Sequence, residues 1–194
     1  MSSNNIEIES KILLSKAEYD KIIKELNFPK ISLVQTNYYL DSKDQVLKKY
    51  GMILRVREGD QKFVFTMKAP LSEGLLEKNQ NLTNREAGDL IDQNIFPEGE
   101  IYNFLETLHI SPANLAVLAT LTTFRKVVKY NDSKLDISQN TYGEHIDYEL
   151  ECESDSAKQS QEVLKEICER FNIKFKLNNI SKEDRAITSA LNEK

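Results

Sequence analysis

The feature that most constrains this chain is a two-residue alternation of charged and apolar side chains that returns in one segment after another. In a β-strand successive side chains point to opposite faces. In Glu7-Ile8-Glu9-Ser10-Lys11, Glu7, Glu9 and Lys11 therefore share one side, and Ile6, Ile8 and Ile12 the other. Asp147-Tyr148-Glu149-Leu150-Glu151-Cys152-Glu153 repeats the split, with the acids on one face and Tyr148, Leu150 and Cys152 on the other. Acid pairs one strand step apart are raw material for a divalent metal site. In Met52 to Arg57 the paired charges are basic: Arg55 and Arg57 share a face, against Met52, Leu54 and Val56. In Lys62 to Lys68, Phe63, Phe65 and Met67 oppose Lys62, Val64, Thr66 and Lys68.

Around these segments the local signals predict an α+β order of mostly antiparallel strands with inserted helices. Ser15-Lys16-Ala17-Glu18 and Thr83-Asn84-Arg85-Glu86 read as capping boxes that open helices. Strands are expected over 33–41, 52–58, 62–68, 74–81, 115–130, 133–138 and 143–153, with a short last strand at 173–177. Further helices are expected over 98–108, 155–172 and from 181 onward. No linker or internal repeat divides the chain, so one domain spanning 1–194, with its core at about 6–187, is expected.

Composition narrows the partners. The net charge is −5 and no long basic run is present, which argues against a nucleic-acid surface. No apolar run approaches the length of a membrane span and no signal peptide stands at the start, so a cytoplasmic protein without a membrane partner is expected. Cys152 and Cys168 both fall at apolar positions and read as buried free thiols. His109 and His145 have no metal-ligand spacing, and Tyr38, Tyr39 and Tyr50 read as packing residues. A homodimer is a possible assembly.

Two architectures accommodate the alternation. An open sheet would pack its apolar face on helices and turn its polar face to water. A closed sheet with charged faces inward would form an inverted barrel with a polar bore, its helices outside. Charge buried in such a bore must be paired or occupied. A polyphosphate with a divalent cation suits both charge sets: Arg and Lys hold phosphate oxygens, and carboxylates hold Mg²⁺ or Mn²⁺.

The ordered set Glu7-x-Glu9-x-Lys11, Tyr39-Leu40-Asp41-Ser42, Leu54-Arg55-Val56-Arg57, Thr66-Met67-Lys68, Arg125, Leu135-Asp136, Glu149-Leu150-Glu151 and Ser181-Lys182 resembles the CYTH superfamily, the triphosphate tunnel metalloenzymes. The likeness is collinear from about Ile6 to Arg185 and strongest to the small stand-alone proteins of Gram-positive bacteria. It implies an eight-stranded antiparallel closed tunnel with a charged interior and helices packed outside. It implies Mg²⁺- or Mn²⁺-dependent hydrolysis of inorganic tripolyphosphate or a small organic triphosphate. The alternatives are a class IV-type adenylate cyclase and a non-catalytic polyphosphate or nucleotide sensor. Carried over by position, Glu7, Glu9 and Lys11 would be catalytic. Lys11, Arg55, Arg57, Lys68, Arg125, Lys182 and Arg185 would bind phosphate. Glu7, Glu9, Glu149, Glu151 and Asp136 would bind metal. The chain departs from the family at Leu75, where many members have Arg.

Overall fold

The computed structural model describes residues 8–71 and 75–192; Glu7, assigned above to catalysis and metal, lies outside them. Among the described residues eight strands form one sheet: β1 (Ile8–Leu14), β2 (Leu33–Asp41), β3 (Ile53–Gly59), β4 (Lys62–Pro70), β5 (Leu75–Leu82), β6 (Ala116–Tyr130), β7 (Ser133–Tyr142) and β8 (His145–Ser154), in the order β1-β8-β7-β6-β2-β3-β4-β5. The helices are α1 (Lys16–Glu25), α2 (Val46–Lys49), α3 (Asn84–Gln93), α4 (Glu100–Thr107), α5 (Ala157–Phe171) and α6 (Lys182–Asn192). Among the described residues no helix is long and apolar enough to cross a membrane.

The chain divides into two compact units. The first takes the residues up to Leu33 together with Thr123–Ser181. Its strands pair antiparallel, β1 on β8 and β8 on β7. The apolar positions of these strands, Ile12, Leu14, Leu135, Ile137, Leu150 and Cys152, form a core with Tyr19 and Ile22 of α1 and Leu164, Ile167, Cys168 and Phe171 of α5. Both thiols are free and buried, as their positions predict. At the start of α1 the expected capping box is complete: Ser15 Oγ accepts from Glu18 N, and Glu18 accepts from Ser15 N at 2.6 Å.

The second unit takes Val34–Thr122 and the residues from Lys182. The β2–β3, β3–β4 and β4–β5 ladders are all antiparallel. Leu54, Val56, Phe65, Met67 and Leu82 turn to one face and pack against Ala87 and Leu90 of α3 and Ile101 and Leu105 of α4. The second capping box, Thr83 with Glu86, is also complete. In both units, then, the helices cover the apolar face and leave the charged face to the other side.

The long strand expected over 115–130 forms unbroken over Ala116–Tyr130, and one expectation is corrected. The last strand, expected at 173–177, shrinks to an isolated bridge between Leu177 and Ile12. Among the described residues the sheet order runs from β1 at one end to β5 at the other. The outer edge of β1 has a partner of its own. Besides the Leu177 bridge, Asn178 N donates to Lys11 O at 2.8 Å. A helix not anticipated, α2, follows β2. The Asp41 carboxylate nucleates it by accepting from Leu47 N at 2.9 Å and Lys48 N at 3.1 Å, which satisfies amides that a helix start leaves unpaired.

Candidate functional site

The charged face of the first unit is built by register. Lys11 lies opposite Glu151 and Leu13 opposite Glu149 across β1–β8; Asp136 lies opposite Glu151 and Ser138 opposite Glu149 across β7–β8. Directly opposed residues point to the same face. Three of its acids are withdrawn from water: Glu149 is 0 %, Asp136 4 % and Glu151 9 % exposed. Carboxylates so placed need compensating partners. Lys11 Nζ lies 3.3 Å from Glu9 Oε1 and 3.7 Å from Glu151 Oε1, which bridges two of the predicted metal-side acids. Glu9 is the exposed member of this group. Arg125 Nη2 donates to Asp136 Oδ2, so a residue expected on phosphate and one expected on metal are ion-paired with each other. Asn178 Nδ2 donates to Glu149 Oε2 at 3.1 Å.

Deeper on this face lies a buried polar network. Asn140, fully buried, accepts from Thr123 Oγ1 at 3.0 Å and donates to Asp147 Oδ1 at 3.0 Å, and Tyr142 OH donates to Asp147 Oδ2 at 2.7 Å. It fixes the strands from which the acids project.

The charged face of the second unit is basic. Tyr39, Arg55, Thr66 and Asn79 stand in line across four strands, flanked by the rows Asn37–Arg57–Val64 and Ile53–Lys68–Glu77. Arg57 and Lys68 are each held by a neighbour. Arg57 Nε donates to Asn37 Oδ1 at 3.0 Å. Lys68 Nζ lies 3.1 Å from Glu77 Oε2. Asn79 links Thr66, whose hydroxyl it accepts at 2.7 Å, to Glu77 Oε1, to which it donates at 2.9 Å. On α2, Lys48 reaches Asp184 of α6 at 3.0 Å. Lys182 and Arg185 also lie on α6, both partly buried.

Two guanidinium nitrogens stand out. Nε of Arg55 and Nε of Arg125 are buried with no hydrogen-bond acceptor among the described residues. Each is a charged donor with capacity for a further acceptor oxygen.

Glu183, which the sequence reading passed over, belongs to the basic face. Burial, and then the adjacent Asp184 charge, pushes its carboxyl up to about 7, against the pull of Arg55, Lys68 and Lys48. Burial also raises the Tyr39 phenol, with the Glu183 charge adding to it, while Arg55 and Arg57 oppose. Tyr39, 5 % exposed, is buried as a packing residue should be, on the row it shares with Arg55, and Tyr50 is exposed. Nothing local marks Glu183, because its setting comes from α6 meeting β2, β3 and β4. His109 and His145 are exposed, as expected.

The donor set on the acidic face is made of oxygen. Among the described residues no group of three or more His, Cys, Asp or Glu side chains forms a ready-made metal cage. A hard cation such as Mg²⁺ commonly takes one or two carboxylates and completes its octahedron with water and phosphate oxygens. Glu149 and Glu151, buried one strand step apart, fit that requirement. Asp136 is engaged by Arg125.

Comparison with known proteins agrees with this architecture. Residues 5–187 match the family described as the CYTH domain. Over 172 residues the sequence is 30% identical to "Putative triphosphatase YjbK" of Bacillus subtilis strain 168, covering 88% of this chain and 89% of that protein. The crystal structure of a "putative adenylate cyclase" from Bacillus halodurans matches with a TM-score of 0.78 at 34% identity, covering 93% of this chain and 96% of the other. A Hippeastrum protein, described as "Putative adenylyl cyclase HpAC1", shares the fold with a TM-score of 0.76 at 19% identity, over 95% of this chain and 96% of its own.

Proposed function

The chain belongs to the CYTH domain family, and from that premise we propose that it is a divalent-metal-dependent triphosphatase acting on inorganic tripolyphosphate or a small organic triphosphate. The observation that carries the proposal is the pair of buried guanidinium donors, Arg55 Nε and Arg125 Nε, each without an acceptor on a charged face. Phosphate oxygens are the acceptors that suit such donors best. The relative from Bacillus subtilis, named as a triphosphatase, supports the same reading. The closed tunnel implied by the family resemblance belongs to this proposal.

In this mechanism Arg55, Arg57, Lys68, Lys182 and Arg185 bind phosphate oxygens and neutralise charge as it develops on the transferred phosphoryl group. Asn37 orients Arg57, and Glu77 pairs with Lys68 until phosphate takes its place. Arg125 serves the same purpose while Asp136 fixes its guanidinium. Glu149 and Glu151 would hold Mg²⁺ or Mn²⁺, with Glu7 as a further ligand; the chemistry supplied there is polarisation of a phosphoryl oxygen. Glu9 is the acid open to water, so it is assigned to orient and deprotonate the attacking water. Lys11, 3.3 Å from it, steadies its carboxylate and contacts phosphate.

The test offers the purified protein tripolyphosphate, pyrophosphate, ATP and thiamine triphosphate with Mg²⁺ or Mn²⁺, and follows both phosphate and cyclic AMP. Phosphate release that is lost with EDTA and in Glu149→Gln is the expected result. The Bacillus halodurans structure's description favours one second reading, a class IV-type adenylate cyclase; cyclic AMP formation from ATP would select it. Binding without turnover under either metal would make the protein a sensor.

A further inference from the structure

Residues 173–180 carry no helix or strand apart from the bridge at Leu177, yet this segment is firmly attached to the first unit. Ile173, Phe175 and Leu177 pack against the apolar core beneath β1 and β8. Leu177 bridges to Ile12, and the next amide, Asn178 N, donates to Lys11 O at 2.8 Å. The side chain of Asn178 is thereby delivered to the acidic face beside Glu149.

The orientation of that carboxamide is determined by its neighbours. Oδ1 accepts from Ile180 N at 3.2 Å, and Nδ2 donates both to Ile180 O at 3.0 Å and to Glu149 Oε2 at 3.1 Å. A flipped amide would set Oδ1 against a carboxylate oxygen and a carbonyl oxygen, with its NH₂ facing a backbone N–H. Both contacts would be repulsive. The side chain is thus locked into a turn of its own backbone, with one N–H left to hold a carboxylate that is 0 % exposed.

We propose that Asn178 is a positioning residue: it fixes the Glu149 carboxylate in the orientation needed to take a divalent cation, an inference that rests on the metal role given to Glu149 above. Groups that hydrogen-bond a metal-ligating carboxylate restrict its rotation, and their loss typically weakens metal affinity about 10- to 100-fold. Neither Asp nor Ser would do both jobs. Asp would place an anion against Glu149, and Ser would keep a turn acceptor but fall short of the carboxylate.

That difference supplies the test. Asn178→Ser retains a hydroxyl able to accept from Ile180 N and removes the amide donor; Asn178→Thr repeats the change with more side-chain bulk if the Ser variant folds poorly. Mn²⁺ binding to the full chain is read directly by electron paramagnetic resonance, and phosphate release from tripolyphosphate is titrated with Mn²⁺. The expected result is a Mn²⁺ dissociation constant raised about 10- to 100-fold, with kcat largely restored at saturating Mn²⁺. A purely structural role would lower kcat at every metal concentration, and that outcome overturns the proposal. If Glu149→Gln abolishes Mn²⁺ binding while Asn178→Ser binds as tightly as the wild type, the role of Asn178 falls and that of Glu149 stands. If the wild type binds no Mn²⁺, or Glu149→Gln binds it unchanged, the metal assignment itself fails and this inference with it.

Discussion

Nζ of Lys68 lies 3.1 Å from Oε2 of Glu77, directly across the β4–β5 ladder. The Asn79 amide, and after it Lys68 and Arg55, hold the Glu77 carboxyl below its ordinary value against the opposing effect of burial. A carboxylate that grips a lysine proposed to bind phosphate competes with that phosphate. The pair is partly exposed, so the competition is small. Glu77→Gln is expected to lower KM for tripolyphosphate about two- to five-fold, the range that a partly exposed ion pair allows. Lys68→Ala should raise it. Steady-state kinetics on both variants checks the two directions together.

The Arg125–Asp136 pair is a different case, because Asp136 is only 4 % exposed. Arg125→Ala leaves that carboxylate in the interior without its guanidinium. Removing one partner of a buried pair costs several kcal/mol, and the partial exposure of Arg125 puts the expected loss near the low end, about 3 kcal/mol in urea unfolding. Arg125→Met combined with Asp136→Leu removes both charges and should recover most of that stability while leaving the phosphate grip impaired. A double variant as unstable as the single one would show that the loss comes from packing rather than from an uncompensated charge.

Glu183 makes a pH prediction. Its carboxyl ionises near 4.5 in an unfolded chain and at about 7 in the folded one. Between these values the folded state binds the proton more tightly, so folding stability falls as pH rises from 4.5 and the loss is complete above about 7. Gln at 183 resembles the protonated acid at every pH. The thermal midpoints of Glu183→Gln and wild type should therefore nearly coincide at pH 5 and separate by pH 8, the variant being the more stable. Equal separation at both values would exclude titration of Glu183 as the cause.

Ser15 tests a purely local interaction. Its hydroxyl and the Glu18 carboxylate cap each other's backbone amides at the start of α1. Ser15→Ala is expected to cost about 1 kcal/mol, measured by chemical denaturation, with KM for tripolyphosphate unchanged. Ser15→Asp restores a capping acceptor and should recover most of the loss.

What was legible in the sequence follows from the range of the interactions involved. Both capping boxes were readable because their partners sit three residues apart. The faces of β1, β3, β4 and β8 were readable because strand geometry assigns each side chain to a face by parity alone. The grouping of Glu149, Glu151 and Asp136 followed once β7 and β8 were taken as neighbours. By contrast, α2 is four residues long and depends on a carboxylate at Asp41, and 173–177 has strand-like composition but only one bridge to pair with.

The alternation of charged and apolar residues by itself determined that this chain builds amphipathic strands, that its helices cover their apolar faces, and which acids and bases share the opposite ones. Tertiary structure alone decided the partners within those faces. Arg125 turns to Asp136, Lys11 bridges Glu9 and Glu151, and Asn178 and Glu183 enter from segments far away in sequence. The physical reason is that parity along a strand assigns a side chain its face without reference to the rest of the chain. The charge, burial and proton affinity it then meets depend on neighbours brought from other strands and helices.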